Sequence, residues 1–483
     1  MTDKIVKSAA WLFSGTLIGR TLRALVLMYS ARVLGASAFG AFSLALSLSA
    51  IFTILSDMGV NSVMVREGVK SDETRKKYFS SSFFLKFPIL IILSIAAIFI
   101  STAYSQRMPD LLSIMPYMIL IFIFDSFRDL LCALARSYER MDLDAKCQII
   151  TNFAIVVFCG LSLYFFPSAV SVMQGYALGT FLGVSFILFA LRKRLGGLVN
   201  KVSPYFLKEV FLTAWSFGLV ALMGVITINT DNLVIGFLMN QVAVGLYSAT
   251  LKPIQFLYII PAALSSAVFP SLAMANDNLE EFKKVFSLAI RSGYLFAFPL
   301  TVGGVLTAER LIALLYGSEF LAASPAFILL SLTLIFVFPS LFITNALFAG
   351  KEKNKIFLTY ALVGIFGNTL LDIVFIKLWG IAGSSLATLI VQIVLFLYVS
   401  YHFKKSFGVG PAKGLSKIAI SSGVMGLSVL GLMLLTNHIL VVIALSGAVY
   451  LGMLILLKEE TLKQLSVPLL RRIGMSPEWL GEQ

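Results

Sequence analysis

Charge is what this chain has least of. Asp, Glu, Lys and Arg make up 13% of its 483 residues, where soluble domains carry about 25%. Hydrophobic residues make up 59% and the mean hydropathy is +0.93, so the chain reads as an integral membrane protein. Cysteine is nearly absent: Cys132, Cys147 and Cys159 are scattered in or beside apolar runs, which excludes a disulfide framework and a cysteine metal site. The two histidines, His402 and His438, fall near the ends of different apolar runs and read as interfacial polar residues. No GxxxxGKS/T loop, HExxH or GxSxG occurs, so ATP-driven transport by this chain alone and the common hydrolase chemistries are excluded. No cofactor and no metal are implied, and the gaps between apolar runs are too short for a soluble catalytic domain.

What the chain has in abundance is long hydrophobic runs. They place membrane spans at 8–33, 40–65, 79–104, 112–135, 147–166, 170–191, 206–238, 242–272, 285–306, 324–349, 356–378, 380–402, 415–436 and 438–457, which makes fourteen. The first run follows Lys4 and Lys7, and Ala36-Ser37-Ala38 resembles a signal cleavage site, but the run is too long for a signal peptide and contains Arg20, Arg23 and Arg32. It reads as a retained span. Basic residues alternate between loops: thirty fall in one set, from Lys4 through Arg66–Lys86 to Arg472, and three in the other, Arg107, Arg310 and Lys377. That asymmetry supports the span count and predicts cytoplasmic termini. The net charge of +14 is mostly this topology signal plus attraction to anionic headgroups, and no nucleic-acid partner is implied.

A weak internal repeat accompanies the spans. Gly40-Ala-Phe-Ser43 and Gly245-Leu-Tyr-Ser248 open the second and eighth spans, Ala133-Leu134 and Ala346-Leu347 end the fourth and tenth, and Gly175–Thr180 matches Gly383–Thr388 in the sixth and twelfth. Six spans separate each pair, so the repeats run parallel, as in transporters with a central cavity between two lobes.

Five basic residues lie within or at the outer edge of spans: Arg20, Arg23, Arg32, Arg128 and Lys252. A charge near the bilayer centre costs roughly 2.5–3.5 kcal/mol on insertion scales, so these side chains require a polar interior. Arg20 and Arg23 share a helical face, roughly 16–21 Å below the outer end of the first span. No carboxylate lies in their own helix. An arginine fork matches phosphate oxygens bidentately, so the pair reads as an anion contact, with a salt bridge to Asp57 or Asp125 as the alternative. Asp125, Arg128 and Asp129 share one face of the fourth span, where Asp125 and Asp129 read as structural ion-pair partners. Asp231 and Lys252 share a depth in the seventh and eighth spans. Asp372 is an isolated carboxylate in the eleventh span, and Asp57, Asp231 and Asp372 are the candidates for ion coupling.

At the level of motifs, Ala31-Arg-Val-Leu-Gly-Ala-Ser-Ala-Phe-Gly-Ala-Phe-Ser43 resembles the first hairpin of the polysaccharide transport family. This is the O-antigen flippase type of the multidrug/oligosaccharidyl-lipid/polysaccharide exporter superfamily. Ser56-Asp-Met-Gly-Val60, Val65-Arg-Glu67, Asn229-Thr-Asp-Asn-Leu-Val-Ile-Gly236 and Val244-Gly-Leu-Tyr-Ser-Ala249 extend the likeness along the whole chain. The resemblance implies two six-span bundles in an alternating-access transporter of lipid-linked oligosaccharides. The carrier would be a polyprenyl diphosphate, undecaprenyl in bacteria or a dolichyl type in archaea. Related lipid II flippases use first-span arginines for the diphosphate, and Arg20 and Arg23 occupy the comparable region. Lys252 falls where relatives carry a basic residue. The last two spans match the lipid-groove pair of the lipid II flippase in number.

The resulting expectation is an all-α integral membrane protein of fourteen transmembrane helices: two parallel six-helix lobes (1–200 and 201–410) and a C-terminal pair with a cytoplasmic tail (411–483). It is not an enzyme but a plasma- or inner-membrane flippase for cell-surface polysaccharide biosynthesis. Arg20 and Arg23 would bind phosphates, with Arg128 and Lys252 as helpers, and H+, Na+ or the membrane potential would drive the cycle. Its partners would be the lipid-linked glycan, membrane lipids and glycosyltransferases or a polymerase of the same pathway. A drug or cation exporter of the same superfamily, a membrane polymerase or ligase, and a twelve-span symporter are the alternatives.

Overall fold

Gly35 adopts φ +75° and ψ 173°, a conformation open to glycine and not to a helical L-residue, and it separates the first two apolar runs. The computed structural model describes residues 2–197, 202–275, 278–349, 354–408, 410, 414–462 and 464, with side chains from Ile18 onward except those of Arg20 and Asn354. Fourteen α-helices are formed by these residues, and no strand occurs among them. They are α1 (Thr2–Asp57), α2 (Val60–Gly68), α3 (Asp72–Tyr104), α4 (Asp110–Ser137), α5 (Met141–Phe165), α6 (Ala169–Leu195), α7 (Pro204–Leu238), α8 (Gln241–Leu257), α9 (Ile259–Met274), α10 (Leu279–Tyr316), α11 (Ser324–Ala349), α12 (Asn354–Phe407), α13 (Ser416–Leu435) and α14 (Ile439–Leu456).

Eleven helical stretches are long and apolar enough to cross a membrane. Two of them are broken, α1 at Gly35 and α12 at Trp379–Gly380, and each supplies two spans. One stretch, Gln241–Met274, joins α8 and α9 across a turn at Tyr258. α4 stands outside the eleven, with 28 residues and the charges Asp125, Arg128 and Asp129. Together these correspond to the fourteen spans read from the sequence.

Local signals place the helix starts. Ser71 accepts the Thr74 N–H ahead of the acidic first turn of α3, Ser168 and Ser171 form a reciprocal capping box on α6, and Asn278 caps α10. Each satisfies amide donors that the first turn leaves unpaired and suits the positive end of the helix dipole. Two expectations need correction. Lys86, counted with the basic loop, lies well inside α3 and is fully buried, because it has internal acceptors described below. The gap between the ninth and tenth spans, 307–323, is mostly helix. α10 continues to Tyr316 and is followed by a 3-10 turn, Ser318–Ala323, and Arg310 is accommodated by donating to the carbonyls of Met433 and Thr436 at the end of α13 (2.9 and 2.8 Å). Such a cation at a helix C-terminus pairs with unsatisfied carbonyls.

The chain divides into two compact units, Met1–Ala249 and Thr250–Gln483. In the first, small residues let backbones touch, the usual route to association where lipid offers no hydrophobic driving force. On α6, a Cβ at Gly175 would stand 2.8 Å from the Phe158 backbone and one at Gly179 2.7 Å from that of Ile155, both on α5. A Cβ at Gly40 would lie 1.7 Å from the Gln241 carbonyl oxygen, and one at Gly245 1.9 Å from that of Ala36. The two contacts are reciprocal: Gly40/Gly245 and Ala36/Gln241 are both separated by 205 positions, the offset of the internal repeat. In the second unit, α10 and α12 are joined by stacked pairs Phe282–Phe407 and Phe286–Phe403, with centroids 4.4 and 4.0 Å apart. α10 also holds the α13–α14 pair. Besides Arg310, Arg291 pairs with Glu459 at 2.5 Å and Tyr450 donates to the Leu295 carbonyl at 2.6 Å.

Candidate functional site

Arg23 is the first predicted site residue with a described side chain, and it is held by neutral groups. Its Nε donates to Asn152 Oδ1 of α5 at 3.1 Å, and its guanidinium stands 5.8 Å from the centroid of the Tyr176 ring on α6. Asn152 is aimed by its own amide, which donates to the Gln148 carbonyl at 2.7 Å. Gly19 makes the room, since a Cβ there would be 2.7 Å from Asn152 Nδ2. The first half of α1 thus approaches α5 closely enough to seat an arginine against an amide and an aromatic face, a cation–π geometry. Arg23 is only half-buried, and among the described residues it forms no ion pair. The Arg20 side chain lies outside the described residues.

The carboxylates considered as partners for the two arginines are bonded to other cations, although Asp125 remains within electrostatic reach of Arg23. Asp57 Oδ1 pairs with Lys86 Nζ of α3 at 3.1 Å and accepts the Asn61 N–H at 3.2 Å. Lys86 Nζ also donates to Ser126 Oγ of α4 at 3.3 Å, and Ser56 Oγ donates to the same oxygen at 2.7 Å. Asp125 and Asp129 flank Arg128 at 2.5 and 2.8 Å. The shorter contact is a close ion pair without hydrogen-bond alignment, whereas Asp129 also accepts from Arg128 Nε at 3.2 Å. Arg128 is buried and bracketed by two anions, so its field toward any ligand is largely cancelled.

Between these helices lies a cavity of about 510 Å³, lined by Thr53, Asp57, Asn61, Lys86, Ser126, Asp129, Arg136, Asp144 and Gln148 among others. Arg136 and Asp144, both in the lining, pair at 3.5 Å. The lining carries three carboxylates, two cations and no aromatic ring, a surface suited to water and small ions rather than to a stacked sugar. On α2, outside the spans, Glu67 is held below the usual carboxylate range, chiefly by a hydrogen bond from Lys70.

Asp231 on α7 is buried and accepts the Tyr247 hydroxyl. Beside it Asn232 donates to Ser47 and accepts from Ser248, both at 3.1 Å. Asp372 is fully buried on α12, and Asn368 one turn earlier donates to its Oδ2 at 3.3 Å. Lys252 is half-buried on α8. Sequence reasoning missed three residues that shape these sites: Lys86, Asn152 and Tyr176. Lys86 gave a readable sign, being embedded in Phe83-Phe-Leu-Lys-Phe87. Asn152 and Tyr176 gave none, because single neutral polar residues in apolar runs carry no periodic signal.

Similarity to known proteins is extensive. The chain is 25% identical over 401 residues to a probable low-salt glycan biosynthesis flippase of Haloferax volcanii, covering 80% of each chain. It is 22% identical over 335 residues to a putative O-antigen transporter of Shigella flexneri, covering 65% of this chain and 78% of that one. In structure it is similar to the lipid II flippase MurJ in its inward closed conformation, with a TM-score of 0.71, 20% identity, and coverage of 93% of this chain and 99% of that one. An inward-facing multidrug resistance transporter of the MATE family shares the fold with a TM-score of 0.66 and 14% identity, covering 81% and 96%. Residues 5–276 match the family model described as polysaccharide biosynthesis protein. The chain therefore belongs to the polysaccharide biosynthesis protein family.

Proposed function

We propose that this protein is a flippase that moves a polyprenyl-diphosphate-linked oligosaccharide from the cytoplasmic to the outer leaflet by alternating access, for cell-surface polysaccharide assembly. The observation that carries the reading is Arg23: an arginine inside a membrane span, half-exposed, seated on an amide and an aromatic ring. It forms no salt bridge among the described residues, and although Asp125 lies within its electrostatic reach, that carboxylate is bonded to Arg128, so the Arg23 fork remains open to an anion; the diphosphate is the anion common to lipid-linked glycans. The relatives named as glycan flippases and transporters support the class, and none of them is named as an enzyme. In this reading the transporter has two lobes and cytoplasmic termini, and Arg20, three residues before Arg23, and Lys252 are further proposed phosphate contacts. Arg128 serves as a local neutraliser rather than a helper. Asp231 and Asp372 are the proposed ion-coupling carboxylates, since each is buried within a helix of the bundle and accepts a hydrogen bond there, from Tyr247 and Asn368 respectively.

The test is translocation of a fluorescent polyprenyl-diphosphate oligosaccharide in proteoliposomes. Arg23→Ala is expected to lower translocation about tenfold or more, as the loss of a charge-assisted phosphate contact implies, and Arg23→Lys to recover part of it. Full activity in an Arg20→Ala/Arg23→Ala double variant would exclude the diphosphate assignment. A second reading, export of a drug or an organic cation, draws on the fold shared with the multidrug transporter. Competition of the lipid substrate by cationic dyes rather than by pyrophosphate analogues would favour it.

A further inference from the structure

Asp57 ends α1, and two residues of positive φ follow before α2 begins: Met58 at 42° and Gly59 at 81°. A positive φ is unfavourable for a side chain such as methionine, so this corner must be held from outside. Two sets of contacts hold it. On one side, Asp57 Oδ1 accepts both the Asn61 N–H, at 3.2 Å, and the Lys86 ammonium, at 3.1 Å. On the other, the corner lies against the backbone of α7. A Cβ on Gly59 would be 2.2 Å from the Ala214 carbonyl oxygen, and a Cβ on Gly218 would be 2.3 Å from the Met58 carbonyl carbon. The α1–α2 corner is thus pressed between an ammonium of α3 and the backbone of α7.

Lys86 also borders the cavity of about 510 Å³. Asn61 lines it as well, and its Oδ1 has no hydrogen-bond partner among the described residues although the residue is 7% exposed. An acceptor facing this cavity without a protein donor is open to one that swings into it, and the Lys86 ammonium is the cation that borders it. A flexible lysine bound to Asp57, with the unpaired Asn61 Oδ1 on the same cavity, has a second acceptor to turn to, the requirement for a bistable element.

We propose that Lys86 is a positioning residue of the transport cycle. Its tethered ammonium clamps the α1–α2 corner onto α7 while bound to Asp57, and loosens the corner by releasing Asp57 when it turns to Asn61 Oδ1 in the cavity. The consequence for transport rests on the flippase reading above; the clamp itself is a property of the first unit.

The experiment compares full-length protein in lipid nanodiscs, followed by amide hydrogen exchange over residues 58–66, with flipping in proteoliposomes. Lys86→Met is expected to speed exchange of those amides about tenfold and to lower turnover about tenfold with KM within about twofold. Lys86→Arg is expected to restore both to within about threefold. Because Lys86→Met alone strands the Asp57 carboxylate, a second variant, Lys86→Met/Asp57→Asn, removes that cost. It is expected to stay monodisperse and still to exchange fast. Return of this double variant to native exchange and turnover overturns the clamp, since the defect then belongs to the stranded charge. Native exchange in Lys86→Met, or no recovery in Lys86→Arg, overturns it equally. Fast exchange in Lys86→Met from a protein that flips no lipid-linked glycan upholds the clamp and sinks the flippase reading.

Discussion

Arg128 and Lys86 are both buried cations of the first unit, and they are neutralised in different ways. Arg128 has its two anions on its own helix, three residues before and one after, so the cluster could be read from spacing alone. Lys86 takes Asp57 from α1 and Ser126 from α4, and no spacing rule links residues on different helices. The same division separates Arg23 from its partners, since Asn152 and Tyr176 lie 129 and 153 positions away. Removing one member of a buried ionic cluster strands the others in low dielectric, where removing all of them is close to neutral. Arg128→Leu should therefore destabilise the protein by about 3–5 kcal/mol, and Arg128→Leu with Asp125→Asn and Asp129→Asn should recover most of the loss. Thermal unfolding in detergent measures both; a triple variant no more stable than the single one would contradict the argument.

Among the elements, the crossing of α1 and α8 is the one most tightly specified. Gly40 and Gly245 were visible in the sequence as matched openings of two spans, but matching residues need not touch. In the fold they meet, each glycine against the carbonyl one helical turn before the other, Gln241 and Ala36, and Ser37 accepts from Gln241 beside them. Side chains cannot yield there, because the atoms in the way are backbone. Gly40→Ala should force the helices apart and cost about 1–3 kcal/mol. Gly160→Ala on α5, where no atom stands within 4 Å, should leave stability unchanged or raise it slightly, since alanine is the better helix former. Melting curves of the two variants side by side decide this, and equal behaviour would mean that the crossing yields. The breaks at Gly35 and Gly380 belong to the same scale. The first fell in the expected turn between spans, whereas the division of the eighth span into α8 and α9 at Tyr258 was not foreseen.

For the whole molecule, the basic-residue asymmetry predicts which ends of the spans face the cytoplasm, and moving Lys86 from loop to interior leaves that asymmetry intact. Because Cys132, Cys147 and Cys159 are buried, single introduced thiols can report sidedness over a low background. In right-side-out vesicles, Ser318→Cys should react with an impermeant maleimide, whereas Lys70→Cys and Lys405→Cys should react only after the membrane is opened; outside labelling of Lys70→Cys would reverse the topology. Membrane insertion, the number of spans and the presence of costly interior charge were determined by the sequence alone. An apolar bilayer core demands about twenty consecutive apolar residues per helix and penalises every charge one residue at a time. Which charge answers which was decided by the tertiary structure. Arg23 meets an amide and a ring, Asp57 meets Lys86, and two repeat glycines meet each other, because electrostatic and steric fit act at about 3–4 Å between helices far apart in the chain, a distance that linear spacing does not encode.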